Sequence, residues 1–247
     1  MQTRREPLNK RVLLTYVIVA AALAVGFGGG YWYSHERGGA AQAMPVLGTA
    51  PEYTLTNQLG AKVNSTTFAG KVQVVSFLFP YCTDYCPLIA AHLVSVERAL
   101  AAAQLQNRVQ LVAFNVDPAH TGPKVMAAFM RQYGWDPENT RWQFLTGDPD
   151  RVRDIVTGGF HVDYEQVPEA LAESRAEAAE KQGLYSPPPE VENALAHAAR
   201  PDYDVTHNDS LVLVDAQGRI RRIYAEADRV SDSDLVSAIR RLLQASR

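Results

Sequence analysis

Residues 71–88, KVQVVSFLFPYCTDYCPL, decide how the rest of this chain is read. Lys71 to Phe79 is rich in β-branched and aromatic residues with almost no polar interruption, the composition of a strand covered on both faces. Pro80 ends that strand by removing a ladder donor, and Pro87 fits the first position of a helix, where its missing N–H costs nothing. From Pro87 to Gln104, Leu88, Leu93, Val96 and Leu100 recur at helical spacing among many alanines. The stretch therefore predicts a central strand, a loop holding Cys82, and a helix with Cys86 near its N-cap. At that place, free amides and the positive end of the helix dipole favour a thiolate, so Cys86 is expected to have a depressed pKa.

Working outward, YTLTNQLGAKV at 53–63 predicts a hairpin turning at Asn57 to Gly60. Downstream, Arg108 to Val116 reads as a second buried strand, Lys124 to Tyr133 as helix, Trp142 to Leu145 as strand and Asp150 to Val156 as a short helix. Leu211 to Val214 and Ile220 to Tyr224 form a hairpin signal around DAQG, and Asp232 to Gln244 closes the fold as an amphipathic helix. This alternation predicts an α/β fold, a mixed β-sheet flanked by helices. An Ala- and Glu-rich insertion at about 165–200, with PPP at 187–189, fits no strand position and reads as one or two exposed helices with evenly interspersed charge.

Cys82 and Cys86 are the only cysteines among 247 residues. A structural staple is the ordinary use of a cysteine pair in an exported protein, but a loop containing only Thr83, Asp84 and Tyr85 removes little unfolded-state entropy when closed. The spacing suits chemistry instead: the sulfurs either close a redox-active disulfide or open around a soft ion. Asp84 has two readings, orienting a ligand through a hydrogen bond or capping the turn through its own backbone.

The segment Val12 to Tyr33 holds 22 residues without a charge, long enough to cross a bilayer as a helix. Arg4, Arg5, Lys10 and Arg11 precede it, which places residues 1–11 in the cytoplasm and the remainder on the far side, and Tyr31, Trp32 and Tyr33 suit the lipid headgroup level. AQAMP at 41–45 imitates a signal-peptidase site, but the apolar run exceeds the usual signal length, so a retained single-pass anchor at 12–33 is the leading expectation. Residues 34–51 read as a linker and 52–247 as the folded domain. With net charge −3 and no basic-aromatic patch, nucleic acid is not an expected partner.

Four stretches together, GKVQVVSFLFPYCTDYCP, NVDP at 115–118, FLTGD at 144–148 and YDVTHNDSLVLVDAQGRI at 203–220, resemble the Sco/SenC family over roughly residues 51–245. That family comprises membrane-anchored, thioredoxin-like copper proteins associated with assembling the CuA centre of cytochrome c oxidase. The resemblance implies that Cys82, Cys86 and His207 ligate copper and that Asp84 matches the acidic residue of the family's cysteine loop. Thr83 stands where the family usually has Pro, and DPAHTGP at 117–123 departs from the family's DP and DTP pattern.

Two thiolates and an imidazole suit Cu(I) and also hold Cu(II) with an added weak ligand. Zinc accepts the same donors, and the family and the exported location favour copper. Of the other histidines, His92 is six residues beyond Cys86 on the helix, within reach of the site but more ordinarily a surface or half-buried helix residue, and His35, His120, His161 and His197 have no partner that spacing identifies. The leading functional expectation is a non-enzymatic copper metallochaperone in the inner membrane, its domain on the periplasmic side, delivering copper to the CuA-bearing oxidase subunit. Other periplasmic copper chaperones or thiol reductants are further expected partners. The alternative is an enzyme, a membrane-anchored thiol-disulfide oxidoreductase in which Cys82 and Cys86 reduce partner cysteines such as those of CuA.

Overall fold

The computed structural model describes residue 23 and residues 44–183, 194–199, 201–207 and 209–245. The expected anchor at 12–33, Leu23 apart, and the segments 1–11 and 34–43 lie outside the described residues. Among the described residues, no helix is long and apolar enough to cross a membrane. The fold is carried by the unit Met44–Arg247.

In chain order its strands and helices are β1 (Gly48–Thr49), β2 (Thr54–Asn57), β3 (Lys62–Asn64), β4 (Val72–Leu78), α1 (Tyr85–Ala102), β5 (Val109–Asn115), α2 (Pro123–Gln132), β6 (Trp142–Thr146) and α3 (Pro149–Arg153). There follow β7 (Tyr164–Pro168), α4 (Glu169–Lys181), α5 (Ala194–Ala199), β8 (Tyr203–His207), β9 (Leu211–Val214), β10 (Arg219–Tyr224) and α6 (Asp232–Ala245).

All seven residues of β4 and all seven of β5 are buried. The two pair in parallel from Val72 with Val109 to Leu78 with Asn115, and β6 extends the parallel set beside β5. Parallel neighbours need crossover connections, and α1 and α2 supply them. The remaining strands attach antiparallel, giving an eight-stranded sheet in the order β1-β10-β9-β4-β5-β6-β2-β3. Phe77, Phe114 and Phe160 pack together with ring centroids 5.3 to 6.1 Å apart. On α1, His92 meets Asp232 at 3.1 Å and Ser95 donates to the same carboxylate, tying α1 to the first turn of α6.

The β2–β3 hairpin forms as its turn residues require: Asn57 accepts from the amides of Leu59 and Ala61 at 3.0 and 2.9 Å, and Gly60 takes φ +81°. The folded unit starts earlier than the expected Glu52. Residues 44–49 run along β10, where Gly48 pairs with Ile220, and the buried Arg221 donates to the carbonyls of Met44 and Pro45. Arg221 also meets the buried Asp215 at 2.7 Å. Burial alone would raise the Asp215 carboxyl, but hydrogen bonds from Arg219 and Arg221 outweigh it and hold the pKa below its ordinary value.

The largest departure from the sequence reading is a second sheet. β7, at the start of the insertion, pairs antiparallel with β8 from Tyr164 with His207 to Pro168 with Tyr203. The stretch that fits no strand in the main sheet opens with a strand that belongs to a separate ribbon, with α4 and α5 lying between its two halves.

Candidate functional site

β4 delivers the chain to the carboxyl end of the parallel strands, the end where α/β sheets place their ligand sites. The Cys82 amide donates to the Phe79 carbonyl at 3.1 Å, so the chain turns immediately after the strand. Helix α1 then begins at Tyr85, two residues before the expected start, with Asp84 as its N-cap. Pro87 is therefore the third helical residue, where its amide would still lack an intrahelical partner. The Asp84 side chain makes no capping bond to the helix, while its backbone amide donates to Cys82 Sγ at 3.3 Å.

Cys86, the second helical residue, is fully buried. Its Sγ accepts from the Phe79 amide at 3.3 Å and lies 3.1 Å from His207 Nε2. Cys82, 6% exposed, is its hydrogen-bonding neighbour, and both cysteines are reduced. The pKa of Cys86 is pushed well above the ordinary thiol value, first by burial and then by the adjoining Cys82. This reverses the depressed value expected from the helix N-terminus: loss of water around the sulfur outweighs the helix dipole.

His207 ends strand β8 and is not in a loop. Side chains alternate along a strand, so Tyr203, Val205 and His207 share one face, and Val205 on that face is buried. Three chain segments, the cysteine loop, helix α1 and the β7–β8 ribbon, thus bring Cys82, Cys86 and His207 together. In this arrangement the donors are hydrogen-bonded to one another, and among the described residues no three His, Cys, Asp or Glu side chains already surround a common point.

A cavity of about 250 Å³ opens beside the thiols. Cys82, Asp84 and Tyr85 line one side, Asp204 to His207 a second, and Ala172, Arg175, Ala176 and Ala179 of α4 the third. The insertion helix therefore forms a wall of the site, a role its sequence did not suggest. A larger cavity of about 320 Å³ lies by Gln73 and Gln217, at the opposite end of β4, and has neither cysteine nor histidine in its lining.

The sequence reading also missed Asp117 and Tyr203. The Tyr203 hydroxyl donates to Asp117 Oδ2 at 2.7 Å, and His120 Nδ1 meets Asp117 Oδ1 at 2.7 Å. Burial, and after it the bond to Asp117, raises the Tyr203 pKa. The available signals were the NVDP turn, which the parallel pairing of β4 and β5 sends out beside the cysteine loop, and the alternation of Tyr203 with His207.

A model of the SCO1/SenC family matches residues 42–185, a span that includes both cysteines and Asp117. The SCO1 protein homolog of Bacillus subtilis (strain 168) is 33% identical over 95 residues, 38% of this chain and 47% of that protein. The chain thus spans about half the length of this curated relative. Two solved structures share the fold, a thioredoxin-like mixed sheet flanked by helices. BsSco, described as a member of the Sco family of cytochrome c oxidase assembly proteins with a disulfide switch, has a TM-score of 0.58 and 21% identity over 82% of this chain and 98% of that one. Bradyrhizobium japonicum ScoI with copper bound has a TM-score of 0.57 and 20% identity over 79% and 99%. With more than half of its length, both cysteines included, matched to the family model, this chain belongs to the SCO1/SenC family.

Proposed function

We propose that this protein is a copper metallochaperone that takes up copper through Cys82, Cys86 and His207 and delivers it to the CuA-bearing subunit of cytochrome c oxidase. The single observation that carries the reading is the 3.1 Å contact between Cys86 Sγ and His207 Nε2, beside the neighbouring Cys82 thiol. Two soft sulfurs and one imidazole are a donor set for Cu(I), and for Cu(II) with one weak ligand more. Copper uptake releases the Cys86 proton and replaces the hydrogen bonds among the donors with metal bonds. Copper in the Bradyrhizobium japonicum relative, and the description of BsSco as an oxidase assembly protein, support the same reading. Asp84, adjoining both the loop and α1, orients the loop through its amide on Cys82. In this reading the 12–33 segment holds the protein in the inner membrane, with residues 1–11 cytoplasmic, the part of the expected 34–51 linker that precedes Met44 leading to the domain, and the site on the periplasmic side.

Copper titration of the reduced full chain, read by absorption and paramagnetic resonance, tests the proposal. Wild type is expected to bind one equivalent with sulfur-to-copper charge transfer, and His207→Ala to lose or alter that signal. Binding indifferent to His207 defeats the carrier reading.

The contact between the two reduced thiols favours one second reading, thiol-disulfide exchange with a partner protein. Cys82 then attacks the partner disulfide, one partner sulfur leaves as a thiol, and Cys86 resolves the mixed disulfide to give the Cys82–Cys86 disulfide and a reduced partner. Cys86→Ser is expected to trap the mixed disulfide, and failure to trap one rules this reading out.

A further inference from the structure

The β7–β8 ribbon that carries His207 is not hydrogen-bonded into the eight-stranded sheet. Ladder pairing with that sheet therefore does not set where β8 stands, and beyond the short connection to β9 at Leu211 the side chains on the inward face of β8 hold the imidazole beside Cys86. At one end of that face is His207, and four residues earlier, roughly 13 Å along the strand, is Tyr203. The Tyr203 ring packs toward Phe79, whose amide holds Cys86, with centroids 6.0 Å apart. Its hydroxyl donates to Asp117 at 2.7 Å.

Asp117 is 3% exposed and is itself held rigidly. Its amide donates to Asn115 Oδ1 at 3.0 Å, and its carbonyl accepts from the Thr121 hydroxyl at 2.6 Å and the Thr121 amide at 3.0 Å. Asn115 in turn donates to Thr146 Oγ1 at 3.2 Å on β6. The residue after β5 donates from Val116 N to Leu78 O at 3.1 Å, which joins this socket to the end of the cysteine-bearing strand. Arg153 also reaches the ribbon, at the Tyr164 carbonyl, but from an exposed position and at 3.3 Å.

We infer that Asp117 and Tyr203 are positioning residues for the metal site: the buried carboxylate clamps the Tyr203 hydroxyl and thereby holds strand β8 so that His207 meets the cysteine pair. The inference rests on the copper-binding reading above. It extends the site from three donors to the NVDP turn, assigning that turn the task of setting where the imidazole stands.

Tyr203→Phe keeps the ring against Phe79 and deletes only the hydroxyl, and Asp117→Asn tests the same bond from its other side. In the metal-free full chain, Tyr203→Phe is expected to speed hydrogen–deuterium exchange along residues 203–207 while leaving the exchange of β4 and β5 unchanged. With Cu(II), the nitrogen hyperfine signature of His207 is expected to weaken and the affinity to fall about tenfold, the worth of one hydrogen bond to a charged acceptor. In a His207→Ala background, Tyr203→Phe is expected to have no further effect on copper affinity, because the clamp acts through the imidazole. An equal loss in that background, or wild-type affinity and hyperfine signature in both Tyr203→Phe and Asp117→Asn, overturns the clamp while leaving the copper site standing. If His207→Ala alone leaves copper binding unchanged, the metal-site reading itself falls.

Discussion

Of the two thiols, Cys86 is sealed between Phe79, Cys82 and His207, whereas Cys82 lines the cavity beside α4. Burial makes the Cys86 proton hard to remove, so the folded state favours the neutral thiol, and under the proposed carrier role copper is expected to compete better for the site as pH rises. In the reduced, metal-free protein, iodoacetamide is expected to modify Cys82 first. Cys86 should follow only well above the pH at which ordinary thiols react, and peptide mass spectrometry gives the order. Modification of Cys86 ahead of Cys82 would contradict the burial argument. At this scale the sequence shows the candidate donors, the two lone cysteines by themselves and His207 through the family resemblance of the stretch around it. It does not show the sign of the Cys86 shift, which depends on how much water the fold removes, nor the Tyr203 to Asp117 bond, which joins residues 86 positions apart.

Among elements, the buried central strands were legible because β4 and β5 are apolar runs with few polar interruptions, the composition of strands covered on both faces. The ribbon was not. β7 and β8 are short, half-exposed and separated by α4 and α5, so neither shows a pattern until the other is beside it. The same pairing converts the insertion from an exposed appendage into a wall of the site, since α4 lies against β8 and lines the cavity with Ala172, Ala176 and Ala179. Replacing Ala176 with Leu is expected to fill part of this cavity and slow labelling of Cys82 by a bulky maleimide. Stability should stay within about 0.5 kcal/mol of wild type, as for a substitution outside the core. Unchanged labelling kinetics would show that the thiols are reached by another path.

For the whole molecule, the sheet is closed on its β10 side by residues 44–49 and the buried pair Arg221 and Asp215. Arg221→Ala leaves the Asp215 carboxylate buried without this partner and frees the carbonyls of Met44 and Pro45. A loss of about 3 kcal/mol is expected in denaturant unfolding, with faster hydrogen exchange at residues 44–49. Asp215 has its folded pKa below the ordinary 3.8, so its contribution is complete above that pH and is lost as pH falls through the folded value. Asp215→Asn is accordingly expected to flatten the acid dependence of stability below about pH 4. The sequence carries the hairpin signal that sets Asp215 near Arg221, but its Gly- and Pro-rich composition reads residues 44–49 as linker and does not show their attachment along β10.

That attachment has a mechanical meaning. Asp215 follows Val214, which sits opposite Gln73 at the start of β4, whereas the cysteines come after Leu78, roughly 17 Å of strand away. A pull on the chain ahead of Met44 is expected to fall on Arg221, which holds the Met44 and Pro45 carbonyls at the end of the sheet away from the cysteines. If residues 12–33 anchor the chain as proposed, the dithiol and its imidazole are expected to be isolated from the motion of that anchor.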